Sequence, residues 1–425
     1  MHSSIFSRLV RSTAKVAGMA ALRQAFVPQP VVNLSPTELR AYVDGDDAVT
    51  GRPFMQELIE GLTKPLDGEA IANATFERST PRLLESGSEE ELHRLFLERG
   101  WTDNLPVVLP TEERVAEMLA HTSHAPDEVV GHMRPTAYRE AWEYTVEKVA
   151  VNAVMAGAHP SYFPVILALA ASGVSARPST TTSMAGIVAV NGPIREEIGM
   201  NSGIGAMGPY NHANATIGRA YGLLSQNLQG GSAPGLTYMG SQGNGYGYGS
   251  VTFAENEERS PWGPFHVEHG FAPEDSTVSI WVGGWSTTYM TGVREKHWRE
   301  NVRNLLRGMD PLHPPVLLLD PIAAREFVAR GGFEAKADLV QWVYENALLP
   351  AGEFWDNQFV QTLLYPQAVL GVEPWASHLR AEPDELIRVF ERDKIKVVVV
   401  GGESMGTWRM IGGRYHGTFS VDEWR

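Results

Sequence analysis

Four short apolar runs, at 187–190, 278–282, 316–319 and 397–400, constrain this chain more than any other feature. Each passes directly into small or polar residues: Asn191-Gly192-Pro193, Gly283-Gly284, Asp320-Pro321 and Gly401-Gly402. Helical patterns at 214–228, 294–306 and 322–329 lie between them. Strands that are apolar without interruption are buried on both faces, and their alternation with helices predicts an α/β fold with a mostly parallel sheet flanked by helices. In such open sheets ligands sit beyond the carboxyl ends of the strands. Asn191, Gly283, Asp320 and Gly401 are therefore expected to border one cleft, provided the four strands share a sheet.

A chain of 425 residues exceeds the usual size of one core. Residues 1–33 form a basic segment, 34–139 a mainly helical N-terminal wrapper, 140–310 an α/β core and 311–425 a C-terminal α/β portion. Two apolar helices, at 142–156 and 163–171, read as a buried hairpin broken by Pro160. The Gly-, Tyr- and Ser-rich stretch 230–249 reads as a long loop, either a lid or plain surface. Arg8, Arg11, Lys15 and Arg23 precede the first acidic residue, Glu38. Targeting presequences and ordinary basic helices share that pattern, whereas Lys15 and Arg23 interrupt any secretory core.

The chain has no cysteine, which removes disulfides, thiolate nucleophiles and thiolate metal sites. Any metal must use His, Asp or Glu. A formal charge of −15 opposes long-range attraction to nucleic acid or anionic bilayers. No apolar run is long enough for membrane insertion.

The segment from Asn201 to Asn211 contains a literal G-x-G-x-x-G at Gly203, Gly205 and Gly208. A dinucleotide fingerprint needs a strand directly before it and an acidic residue after the next strand. Here the strand ends near Asn191, Pro209 intervenes and the acid is missing, so neither NAD nor flavin is expected. Glycines ahead of a helix can still turn backbone N–H groups toward an anion. Asn191, Asn201, Ser202, Gly203, Gly205, Gly208 and Asn214 are thus substrate-binding candidates, although each Asn fits a turn or cap equally well.

Downstream, Glu255, Glu257 and Glu258 lie among Phe253, Trp262 and Phe265. If 251–254 is a strand, Glu255 and Glu257 emerge on one face. Neighbouring carboxylates raise one another's pKa, which suits general acid–base work, with His212 as a further catalytic candidate. The same Glu255 and Glu257 with His266 or His269 form an oxygen-and-nitrogen set for a divalent metal, though no spacing matches a zinc signature. Alternatively the run is a solvated turn neutralised by Arg259. Lys148 and Asn152, four apart on a helix, face an anionic substrate or the surface. Ser404 in Gly402-Glu-Ser-Met-Gly406 has the outline of a nucleophile elbow, but only His416 and Asp422 follow it, so that hydrolase fold is not expected.

At 101–106, 147–157, 191–193, 213–219 and 253–258 the chain resembles a poorly characterised bacterial family linked to proteins with the selenocysteine or cysteine UGSC motif. The resemblance implies a bacterial cytoplasmic setting and a small redox partner protein. Relatives commonly carry cysteine near Ala158 and Thr252, where this chain has none. The residues themselves point to an enzyme of lyase, hydratase or hydrolase type acting on a small anionic or amide-like molecule. The alternatives are a subunit of a thiol- or selenol-dependent reductase system, or a small-anion binding protein without catalysis. A homodimer is the base-rate expectation.

Overall fold

In the computed structural model all four apolar runs are strands, and they share one sheet. The structure describes residues 1–31, 34–65, 81–132, 143–178, 183–230, 234–235, 238, 240–291, 293–294 and 296–425. The chain divides into two units: Met1–Ser86 with His132–Glu143 and Gly235–Thr237, and Gly87–Gly131 with Tyr144–Pro234 and Tyr238–Arg425.

In the first unit, helix Pro36–Asp44 starts in a capping box. Ser35 Oγ accepts from the Glu38 N–H, the Glu38 carboxylate takes the Ser35 N–H, and Pro36 occupies the first turn, where no N–H is needed. Ala25, Val27 and Phe54 form its core with Tyr42 and Leu58. Burial pushes the Asp47 carboxyl up, but the N–H groups of Phe26, Val49 and Thr50 outweigh burial and hold it below its ordinary value. The stretch 34–139 carries helices Pro36–Asp44, Phe54–Thr63, Glu89–Glu98 and Glu112–Leu119 and divides between the two units. Its residues 66–80 and 133–139 lie outside the described residues.

The sheet belongs to the second unit. Its strands are β1 (Ala185–Asn191), β2 (Val251–Ala254), β3 (Thr277–Thr291), β4 (Pro315–Leu319), β5 (Lys396–Val399) and β6 (Thr407–Ser420), in the order β5-β4-β6-β3-β1-β2. Only β4 with β5 and β1 with β2 pair in parallel. The other three pairings are antiparallel, so the mostly parallel sheet expected above is corrected to a mixed one. The reason is β6, which inserts between β3 and β4 and is bulged at Ile411/Gly413 and Tyr415/Gly417. The Gly283-Gly284 turn is corrected as well. Gly283 pairs with Gly413 in mid-strand, and a Cβ on it would come 2.2 Å from the Gly412 carbonyl oxygen.

Side chains alternate across the sheet as the strand period requires. One face joins Ile187, Ala189, Phe253, Trp281, Val316, Leu318 and Val398 in a single cluster. On the other, Leu317, Leu319, Val397, Val399, Trp408 and Met410 pack with residues of helices Trp298–Arg307, Pro321–Glu326 and Lys336–Asn346. The hairpin expected upstream is Val146–Met155 and Phe163–Ala171, both packed against helix His212–Asn227. Trp142 lies outside the described residues. So do residues 231–233, 236–237 and 239 of the expected lid, while its far end is fastened: the Asn244 amide donates to the carbonyls of Ser183 and Gly283. No helix among the described residues is long and apolar enough to cross a membrane.

By this pairing β1 and β2 run opposite to β4 and β5. Even so, Asn256, just past β2, donates its backbone N–H to the Val399 carbonyl at 2.8 Å and its amide to the Gly401 carbonyl at 2.9 Å. The two outer strands thus meet at their carboxyl ends. The turn after β1 depends on glycine, because Gly192 has φ of +80° and a Cβ would lie 2.1 Å from the Asp275 carbonyl oxygen. Gly192→Ala is expected to destabilise the fold by at least about 1–3 kcal/mol. Urea unfolding measures this, and an unchanged midpoint would contradict the close packing.

Candidate functional site

The glycine segment leads from the short helix Ile194–Glu197, not from a strand, into helix His212–Asn227. Asn211 caps that helix by accepting the Asn214 N–H. Asn214 in turn donates its amide to the carbonyls of Asn201 and Ala206 and accepts the Asn201 N–H. Asn201 Oδ1 takes the Gly203 N–H, and the Gly208 N–H goes to the Gly205 carbonyl. These bonds correct the expectation of converging donors: Asn201 and Asn214 tie the loop together, and the N–H groups of Gly203 and Gly208 are engaged within it. The Ser202 carbonyl accepts the Gly401 N–H, which docks the loop beyond the end of β5.

This docking closes a cavity of about 340 Å³ whose lining includes Gly205, Gly208, Asp320, Gly401, Thr407 and Arg409. Of the four strand ends expected to border one cleft, Asp320 and Gly401 share this cavity with the glycine loop, at the carboxyl ends of the parallel pair β4 and β5, whereas Asn191 and Gly283 do not line it. Asp320 is buried. Its Oδ1 caps helix Pro321–Glu326 by accepting the Ile322 N–H at 2.8 Å. Burial, with the nearby Glu403 charge, pushes its carboxyl above the ordinary value against that hydrogen bond and Arg325. Arg409 pairs across the strands with Leu318, which also lines the cavity. Among the described residues no carboxylate is paired with the half-buried Arg409 guanidinium.

The acidic run forms a separate network: buried Glu255 and partly buried Glu257 meet at Asn191, and the exposed Glu258 joins them through Arg195. The Asn191 amide donates to both Glu255 Oε2 and Glu257 Oε1. Glu255 is wholly buried, and its Oε1 receives Lys336 Nζ at 3.0 Å while its Oε2 also receives the Phe265 N–H at 2.7 Å. Glu257 Oε1 receives the Gly192 N–H and lies 3.1 Å from Arg195 Nε. Arg195 also donates to Glu258 Oε1 at 2.7 Å and holds the Glu258 carboxyl below its ordinary value. The cations are Lys336 and Arg195; Arg259 faces Glu403 instead. With all three of its carboxylates paired to the buried cations Lys336 and Arg195, and Glu255 also holding the Asn191 amide and the Phe265 N–H, this network fits scaffolding better than proton transfer. Neither Lys336 nor Arg195 stands out locally, lying 81 and 60 residues from Glu255.

The remaining candidates disperse. His212 is an exposed first-turn residue whose ring nitrogen lies 3.3 Å from the Tyr162 hydroxyl, away from the carboxylates. Asn152 donates to the Lys148 carbonyl and accepts from Asn227, a tie between helices, and Lys148 is half-buried on the same helix. His269 donates from Nδ1 to the Phe265 carbonyl, Lys396 donates to its Nε2, and burial lowers the pKa of both side chains. His266 is wholly buried with Nδ1 4.0 Å from Glu257 Oε1. Among the described residues no three His, Asp or Glu side chains converge on a metal position. Ser404 has no triad, since His416 lies about 30 Å along β6 from Thr407 at strand rise, and Asp422 takes the Ser276 N–H and Arg425.

A second cavity, about 440 Å³, is lined by Asp310, Glu353 and Asp356 among others, and its Arg307 is paired with Glu353 at 3.0 Å. Its carboxylates oppose an anion. No protein-family model, curated protein or solved structure matches the chain.

Proposed function

We propose that the chain is an enzyme acting on a small anionic or amide-like molecule by non-redox acid–base chemistry, in the cavity between the glycine loop and the ends of β4 and β5. The observation that carries this reading is the presence of Asp320 and Arg409 on the walls of one cavity. Arg409 would hold the anion through charge-assisted hydrogen bonds, and Asp320 would exchange the proton. A carboxyl raised by burial gives up and takes back a proton nearer neutral pH than an ordinary one does. Oδ1 stays on the helix cap, which leaves Oδ2, on the side toward Gly401, for the substrate. The proton-transfer role assigned from sequence to Glu255, Glu257 and Glu258 thereby moves to Asp320.

Ligand-observed NMR with a panel of small carboxylates, amides and phosphate esters tests the site. Arg409→Gln is expected to weaken the best anionic binder by about 10–100-fold, the effect of losing hydrogen bonds between charged groups. Equal binding by wild type and variant would place the anion elsewhere.

A further inference from the structure

Two large apolar side chains stand in solvent at this cavity: Ile204 is 75% and Tyr210 80% exposed, and both line it. The Tyr210 ring lies against the glycine loop. A Cβ on Gly205 would come 2.9 Å from it and one on Gly208 2.6 Å, so the two glycines are what allow the ring to lie against the loop. Two of the three glycines in the spacing that resembles a phosphate cradle, Gly205 and Gly208, thus have an aromatic ring resting on their backbone. Charge restricts the ligand further. Among the described residues lining the cavity Arg409 is the only cation, and Asp320 shares the walls, so a dianion or diphosphate is poorly matched and a monoanion well matched. Met207 and Leu318 add apolar wall. At about 340 Å³ the space is near the lower end of the range for small-molecule pockets.

The geometry points to a small carboxylate with an apolar, ring-sized substituent as the substrate class, its carboxylate on Arg409 and its ring covering Tyr210 and Ile204. This rests on the anion site proposed above. Covering exposed aromatic and aliphatic surface stabilises the complex through burial and ring stacking, neither of which acetate can supply.

The test is titration of the full chain with acetate and with benzoate by ligand-observed NMR. Benzoate is expected to bind about 10–100-fold more tightly than acetate. Tyr210→Ala should remove most of that advantage, and Tyr210→Phe, which keeps the ring, should retain it. Arg409→Gln should weaken both acids. Equal affinities for the two acids, both sensitive to Arg409→Gln, would overturn the ring-bearing class and leave the anion site standing. Binding of neither acid, or binding indifferent to Arg409→Gln, would overturn the anion site and the substrate class with it.

Discussion

Lys336→Met is expected to lower the unfolding free energy by about 3–5 kcal/mol, the usual cost of removing one partner of a buried ion pair. The pair in question is Lys336 Nζ and Glu255 Oε1, 3.0 Å apart with side chains 3% and 0% exposed. Methionine fills similar space but leaves the Glu255 carboxylate without its counter-ion, next to hydrogen bonds that still require an acceptor. Lys336→Met combined with Glu255→Gln should recover much of the loss, because glutamine offers Phe265 an acceptor oxygen without a charge. Urea unfolding of the single and double variants reads both effects. A loss below about 1 kcal/mol in the single variant would mean the pair behaves like a surface one.

Asp320→Asn is expected to reduce kcat by about 10²–10⁴-fold, the usual range for a general acid or base, toward the substrate that the ligand panel identifies. Asparagine is an equally good helix cap, and its side-chain oxygen can still accept the Ile322 N–H. The fold should therefore survive, and the sign of its pH dependence can be worked out. Burial raises the Asp320 pKa in the folded chain above its unfolded value. The stability that this carboxyl contributes is full below the unfolded pKa and is lost as pH rises through the folded one. Asparagine never ionises, so the variant should match wild type in acid and gain on it as pH rises through that window. A variant that keeps full turnover would remove Asp320 from the chemistry. A stability difference of the opposite sign would mean that the folded chain favours the ionised carboxylate.

The four apolar runs were legible as strands because both faces of each are buried, so burial alone writes the pattern. β6 was not, for a physical reason that also hid the true sheet. Gly412, Gly413 and Gly417 interrupt its alternation, yet Gly412 and Gly413 stand where side chains of β3 crowd it: a Cβ on Gly412 would meet Ser286 Oγ at 2.5 Å, and one on Gly413 would meet Trp281 at 3.3 Å. Glycine required by a cross-strand neighbour is indistinguishable in sequence from glycine required by a turn. The same ambiguity made Gly283-Gly284 read as a strand end.

At the site, the clustering of Asn191 with Glu255 and Glu257 could be anticipated from strand ends and alternation. Its electrostatics could not, since Arg195 and Lys336 arrive from distant parts of the chain and decide whether those carboxylates are reactive or merely paired. The glycine loop was likewise locatable. Where its N–H groups point was set by Asn201 and Gly205, and the cavity it closes needed Arg409 from the unrecognised strand.

The most direct measurement is a crystal structure of the chain with a bromine-labelled form of the tightest-binding acid, its position read from anomalous scattering. The expected result is bromine in the cavity bounded by Gly205, Gly208, Asp320 and Gly401, with the carboxylate on Arg409. Bromine instead beside Glu257 and His266, or in the acidic cavity at Asp310, would contradict the assignment of the working site.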